Sequence, residues 1–106
     1  MISLALMMFA APVGPTTAFT TGNDLHSSCQ GKGTDACMAF VSGAYDGMIM
    51  ESGKLGAGVC IHEAVTLNQV KDVFVLYLAA HPEARHKSGA WLVRQSLREA
   101  FPCLTR

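Results

Sequence analysis

The sequence has no excess of either charge: eight Lys and Arg stand against eight Asp and Glu, a net charge of zero over 106 residues. Neutrality excludes the basic footprint that phosphate contacts and counterion release demand of a nucleic-acid-binding protein. No apolar run reaches the roughly 17–25 residues that cross a bilayer, so no membrane span is expected. No segment alternates apolar and polar residues over five positions between turn residues, so no strand is expected either. The chain lacks a Cys-x-x-Cys pair, and Cys60-Ile61-His62 does not match the usual ligand spacing for structural zinc. The same absence excludes a thioredoxin-like redox motif. A nucleophile elbow, a phosphate loop and a metalloprotease helix motif are all missing. No cofactor is therefore expected. Half of the residues are apolar and only 15% are charged, which is not the composition of a disordered chain. The length fits one small domain.

Part of the apolar share is concentrated at the start. Residues 2–13, ISLALMMFAAPV, carry no charge. The run is too short to span a membrane and has the length of a signal-peptide hydrophobic region. Thr16-Thr17-Ala18 supplies small residues at the spacing a signal peptidase accepts, so cleavage is expected near Ala18. No Lys or Arg precedes the run. The expected division is a signal peptide over 1–18 and a mature domain over 19–106. All sixteen charged residues lie in that 88-residue domain.

The four cysteines, Cys29, Cys37, Cys60 and Cys103, also lie in the mature part. An even number in a small exported domain reads as a disulfide framework. The rest of the chain reads as helix. A short first helix is expected from about Asn23 to Gln30, with Asn23 or Asp24 as its cap and Gly31 and Gly33 as its terminators. A second begins at Thr34. Cys37, Phe40, Val41, Ala44, Tyr45, Met48 and Ile49 recur at three- and four-residue steps and form its apolar stripe. Ala36, Ala39, Gly43 and Gly47 form a second row of small residues. Glycine in a helix interior costs about 1 kcal/mol relative to alanine, which close approach of another backbone, from this chain or a partner subunit, would explain.

A Gly-rich loop, SGKLGAGVCIH, separates Glu51 from Glu63. Thr66-Leu67-Asn68-Gln69 is a capping box, with Val65 and Val70 placed as a hydrophobic staple, and it opens a third helix that Pro82 stops. A fourth helix starts near Ser88 and stops before Pro102. The expected fold is all-α: a small four-helix domain with a C-terminal antiparallel helix pair, stapled by disulfides. Antiparallel packing of the last two helices brings Cys103 near Cys60 and leaves Cys29 with Cys37. The rival pairing Cys37–Cys60 needs the Gly-rich loop to double back along the second helix, which its length permits.

Histidine is the side chain that titrates nearest neutral pH, and there are four: His26, His62, His81 and His86. Two of them bracket the segment HPEARH with Glu83 and Arg85. A general-base role for His81 or His86 needs a nucleophile within reach, and the nearest hydroxyl, Ser88, is better used as a helix cap. The bland reading of HPEARH is an interhelical turn tied down by Arg85, to a Glu or to a helix C-terminal carbonyl. As contacts for a partner, the candidates are His81, Glu83, Arg85 and His86 in this turn, and Lys54 and Leu55 in the Gly-rich loop. An enzyme is not expected.

Residues 65–103 resemble the C-terminal signature of the Rap/Tai immunity-protein family, whose pattern runs VT-x-x-Q, YL-x-x-HPE-x-RH and LV-x-x-(S/A)L-x-x-AFPC. Val65, Thr66, Gln69, Tyr77, Leu78, His81, Pro82, Glu83, Arg85 and His86 match it, as do Leu92, Val93, Leu97, Ala100, Phe101, Pro102 and Cys103. Upstream, Cys37, the stretch Gly43-Ala44-Tyr45-Asp46-Gly47 and Cys60 match more loosely. The resemblance implies a small helical periplasmic protein, often a homodimer, that binds and blocks a peptidoglycan amidase effector of type VI secretion. It would occlude the amidase by surface complementarity, with no chemistry of its own. The alternative is an exported structural or stress-related helical domain with no toxin partner.

Overall fold

A computed structural model describes residues 19–30, 35–52, 58–61 and 64–103. The order of elements is α1 (Gly22–Ser28), α2 (Asp35–Ser52), α3 (Leu67–Ala80), a 3-10 turn (Pro82–Ala84) and α4 (Gly89–Ala100). Among the described residues there is no strand, only the isolated bridges Thr21↔Ser88 and Val59↔Pro102. The all-α expectation holds. The proposed signal peptide, the terminators Gly31 and Gly33 and the cap Thr34 lie outside the described residues.

Two helix starts follow the sequence signals. The Thr66 hydroxyl accepts from the Gln69 N–H at 3.2 Å, and the Gln69 side-chain oxygen accepts from the Thr66 N–H at 2.7 Å. The Ser88 hydroxyl accepts from the Trp91 N–H at 3.4 Å. For α1 the expected cap moves. It is Thr21, not Asn23 or Asp24, and the helix ends at Ser28, not Gln30. Thr21 and Asp24 form their own capping box: the Thr21 N–H donates to the Asp24 carboxylate at 3.0 Å and the Asp24 N–H donates to the Thr21 hydroxyl at 3.3 Å. Asp at the third helical position replaces the usual Glu or Gln, and Gly22 inside the first turn disguises the signal. These bonds hold the Asp24 carboxyl below its ordinary range.

The core collects one stripe from each helix. Leu25 and Cys29 come from α1 and its cap, Cys37 and Val41 from α2, Val70, Phe74 and Leu78 from α3, and Leu92, Val93 and Leu97 from α4; all are buried. The α4 stripe is clean, because the residues opposite it are charged. Buried Ser96 is satisfied by donating to the Val93 carbonyl at 2.7 Å.

Both disulfides form as expected, Cys29–Cys37 and Cys60–Cys103, with Cα–Cα distances of 4.9 and 5.0 Å. The second closes the C-terminal pair, bringing the end of α4 beside the segment that precedes α3. Backbone bonds reinforce it: the Cys60 N–H donates to the Phe101 carbonyl at 2.8 Å and the Cys103 N–H to the Gly58 carbonyl at 3.1 Å.

The glycines of α2 overturn the same-chain half of one expectation; the partner-subunit half concerns a contact outside this single chain. A Cβ built on Gly43 or Gly47 meets nothing within 4 Å, so among the described residues no backbone of this chain approaches these two positions. Ala36 and Ala39 are exposed as well. Close approach occurs at two other glycines. A Cβ on Gly22 would stand 2.8 Å from the Arg85 carbonyl oxygen and 2.9 Å from the Arg85 Cα, and one on Gly89 would stand 2.8 Å from the Phe40 ring. Gly43→Ala and Gly47→Ala are accordingly expected to raise stability by about 0.5–1 kcal/mol each, since they restrict the unfolded chain without a clash. A denaturation midpoint shifted upward at unchanged slope is the readout.

Candidate functional site

The HPEARH turn is held from three directions. From below, the Arg85 side chain reaches back to the end of α3: its Nε donates to the Leu78 carbonyl at 2.7 Å and its terminal nitrogen to the Ala79 carbonyl at 3.4 Å. These are carbonyls that a helix C-terminus leaves without intrahelical partners. From the side, the turn's own carbonyls satisfy the start of α1. Arg85 accepts from the Asn23 N–H at 2.8 Å, and Lys87 accepts from the Gly22 N–H at 3.0 Å. From within, the 3-10 turn closes with the Ala84 N–H on the His81 carbonyl at 3.0 Å and the Lys87 N–H on the Ala84 carbonyl at 3.0 Å. Pro82 begins the turn, where a missing N–H costs nothing.

His81 is committed inside this frame. Its ring stacks on Tyr77 with centroids 4.0 Å apart and planes 20° from parallel. Its Nδ1 lies 2.9 Å from the Tyr77 carbonyl, which only accepts, so the proton sits on Nδ1. Burial, with Glu99 and Glu83 adding negative charge nearby, pushes the Tyr77 phenol above its ordinary value. Tyr77 and His81 share a groove of about 340 Å³ between α3 and α4 with Leu76, Ala80 and Glu99. Leu76, at 70% exposed, stands on its rim.

Of the residues singled out from the sequence, the structure brings His81, Glu83, Arg85 and His86 into one hydrogen-bonded turn. Glu83 and His86 are exposed, whereas His81 and Arg85 are half-buried and face their own chain. Arg85 thus does what the bland reading assigned it, on carbonyls and not on a carboxylate. Lys54, Leu55 and His62 lie outside the described residues. His26, on α1, is distant from this turn in sequence and accepts from the Gln30 side-chain amide at 2.8 Å. Among the described residues no three His, Cys, Asp or Glu side chains converge as a metal site would require.

These roles separate in a stability measurement. Arg85→Ala is expected to cost about 1–2 kcal/mol, because it strands α3 carbonyls and removes a charged donor. Glu83→Ala and His86→Ala are expected to stay within about 0.5 kcal/mol, as exposed substitutions away from such features do. Urea midpoints of the three variants test this directly.

Sequence reasoning missed two features of the region. One is Gly22, whose lack of a Cβ lets α1 land on the turn. The other is Trp91, one turn into α4, whose ring lies under Lys87 with Nζ 4.1 Å from the centroid. A Trp on the charged face of an otherwise regular amphipathic helix was the available signal.

The features described so far define a small, all-α, disulfide-stapled domain with a hydrogen-bonded interhelical turn at its surface. The family model of the Rap1a immunity proteins matches residues 21–103. The chain belongs to that family, in agreement with the resemblance carried by residues 65–103, and the coarse function that accompanies membership is immunity. No curated protein and no solved structure matches the chain. No helix among the described residues is long and apolar enough to cross a membrane.

Proposed function

We propose that this chain is a periplasmic immunity protein that binds a peptidoglycan amidase effector of type VI secretion and occludes its active-site cleft. The observation that carries the reading is the family match over 21–103. Several features of the chain support it. Two disulfides suit an oxidising compartment. Residues 1–18, with their uncharged run, suit an export signal cleaved near Ala18, and they precede the matched region. A preorganised surface turn suits a protein whose work is binding, since little order is lost when it docks.

In this reading the exposed Glu83 and His86 contact the effector from a turn that Arg85 and His81 hold in place. Lys54 and Leu55 join them on sequence grounds alone. A homodimer is part of the same proposal. The test is titration of the purified protein against the effector encoded by the adjacent gene, with protection of cells that produce that effector in their periplasm. The expected result is tight binding, protection, and loss of amidase activity in the complex. Absence of both binding and protection overturns the reading.

A further inference from the structure

The outer face of α4 carries a pattern that the fold does not use. Trp91, Arg94 and Arg98 follow one another at steps of three and four residues and form a single stripe down the helix, and Lys87, just before the Ser88 cap, joins it by lying over the Trp91 ring. The stripe lies opposite the buried Leu92, Val93, Ser96 and Leu97. Lys87, Arg94 and Arg98 are all exposed. Among the described residues the ion pair formed is Lys71 with Asp72, and none of these three cations takes part in one. Trp91, at 37% exposed, stands among them and holds Lys87 across its ring.

The stripe also has defined ends. It begins at Lys87, next to His86 of the HPEARH turn. It finishes at Arg98, whose Nε lies 3.7 Å from the point where a Cβ on Gly58 would stand. At 1.5 Å per residue its helical part, from Trp91 to Arg98, is roughly 10 Å long. Trp and Arg are the residue types that most often dominate binding energy at protein interfaces, and Arg pairs with carboxylates through two parallel hydrogen bonds.

We infer that the Lys87–Trp91–Arg94–Arg98 stripe is an interaction surface for a carboxylate-rich face of a protein partner. Resting on the reading above, that partner is the effector. Charge complementarity selects the occupant: three cations that form no ion pair among the described residues, set around one amphipathic ring, fit an acidic protein surface. A lipid surface fits less well, because a membrane-binding helix inserts its apolar face, and that of α4 is spent in the core. Three cations on a neutral chain are also a poor nucleic-acid footprint.

The test compares wild type, Trp91→Ala, the double reversal Arg94→Glu/Arg98→Glu, and the conservative Arg94→Lys/Arg98→Lys, in titrations against the effector encoded by the adjacent gene. Each variant is first matched to wild type in thermal unfolding. Any that fails this is replaced by its single-site counterpart. The expected result is a fall in affinity of about tenfold for Trp91→Ala and more for the double reversal, with the lysine pair intermediate. Wild-type affinity should also weaken as salt rises, and the double reversal should lose that dependence. Wild-type binding that the reversal leaves intact overturns this inference alone. Failure of wild type to bind the effector overturns both it and the reading on which it rests. Reversal-sensitive binding to vesicles containing anionic lipid, with unchanged affinity for the effector, assigns the stripe to a membrane and likewise overturns the inference.

Discussion

Replacing Cys60 and Cys103 by alanine is expected to destabilise the folded chain by about 4 kcal/mol, against about 2.5 kcal/mol for the same change at Cys29 and Cys37. The difference follows from the loops: Cys60–Cys103 spans a sequence separation of 43 and Cys29–Cys37 of 8. In the chain-entropy account, the longer the loop, the more the crosslink restricts the unfolded ensemble. A domain of this size has a stability of roughly 5–15 kcal/mol, so the larger loss leaves it marginal. Its melting temperature should fall by on the order of 20 °C, with a smaller fall for the Cys29/Cys37 pair.

Accessibility adds a second contrast. Cys29 and Cys37 are buried, whereas Cys60 is exposed and Cys103 half-buried. Mild reductant followed by alkylation should therefore label Cys60 and Cys103 first, from the folded state. Labelling of Cys29 and Cys37 should follow global unfolding. Equal melting temperatures for the two double-alanine variants, or labelling in the reverse order, would show that loop length and burial do not rank these bridges.

The second large effect is expected at Gly22. Gly22→Ala places a methyl group less than 3 Å from two backbone atoms of Arg85 and against the Leu92 side chain. A side chain can rotate away, but the Arg85 backbone cannot. It is pinned by the Asn23 N–H on its carbonyl and by its own guanidinium on α3. Relief requires α1 to lift off the turn, which breaks the Gly22–Lys87 and Asn23–Arg85 hydrogen bonds. Overpacking and the lost bonds together should cost about 2–4 kcal/mol. Gly89→Ala should cost less, because the atoms it meets belong to the side chains of Leu25 and Phe40. Thermal melts of the two variants beside Gly43→Ala and Gly47→Ala would order the four glycines. A Gly22→Ala protein as stable as wild type would refute the close approach.

That ordering could not have been read from the sequence. Gly43 and Gly47 looked like a packing row because they sit at regular helical spacing among alanines. Spacing puts residues on one face and leaves open what lies opposite it. Gly22 falls just before the helix expected from Asn23, and nothing local marks the arrival of Arg85 from more than sixty positions away in the chain. The α1 cap was missed for a related reason. Thr21 and Asp24 form a sound local box, yet the first turn of α1 is completed by the carbonyls of Arg85 and Lys87, which are distant in sequence.

Within the candidate site the division is the same. The turn at HPEARH and its tie to helix carbonyls through Arg85 were legible, because Pro82 disfavours helical geometry at His81 and an arginine a few residues past a helix end can reach its carbonyls. The stacking of His81 on Tyr77 was within reach too, since the two are one helical turn apart. The stripe of Lys87, Trp91, Arg94 and Arg98 was legible only in part. Helical spacing sets Trp91 opposite Leu92, Val93 and Leu97; that these three fill the core, and that Lys87 comes over the ring, is what the tertiary structure adds.

The sequence by itself determined much of what depends on neighbours three or four residues apart: the caps of α3 and α4, their stops before Pro82 and Pro102, and the apolar stripes; the short connection between the last two helices favoured, without fixing, the disulfide pairing that forms. Tertiary structure alone decided which glycines are crowded, which turn carbonyls finish α1, and which surface charges form no ion pair among the described residues. Those outcomes depend on which segments meet in space. Contact between distant segments is set by how the stripes pack into one core, and no local pattern encodes it.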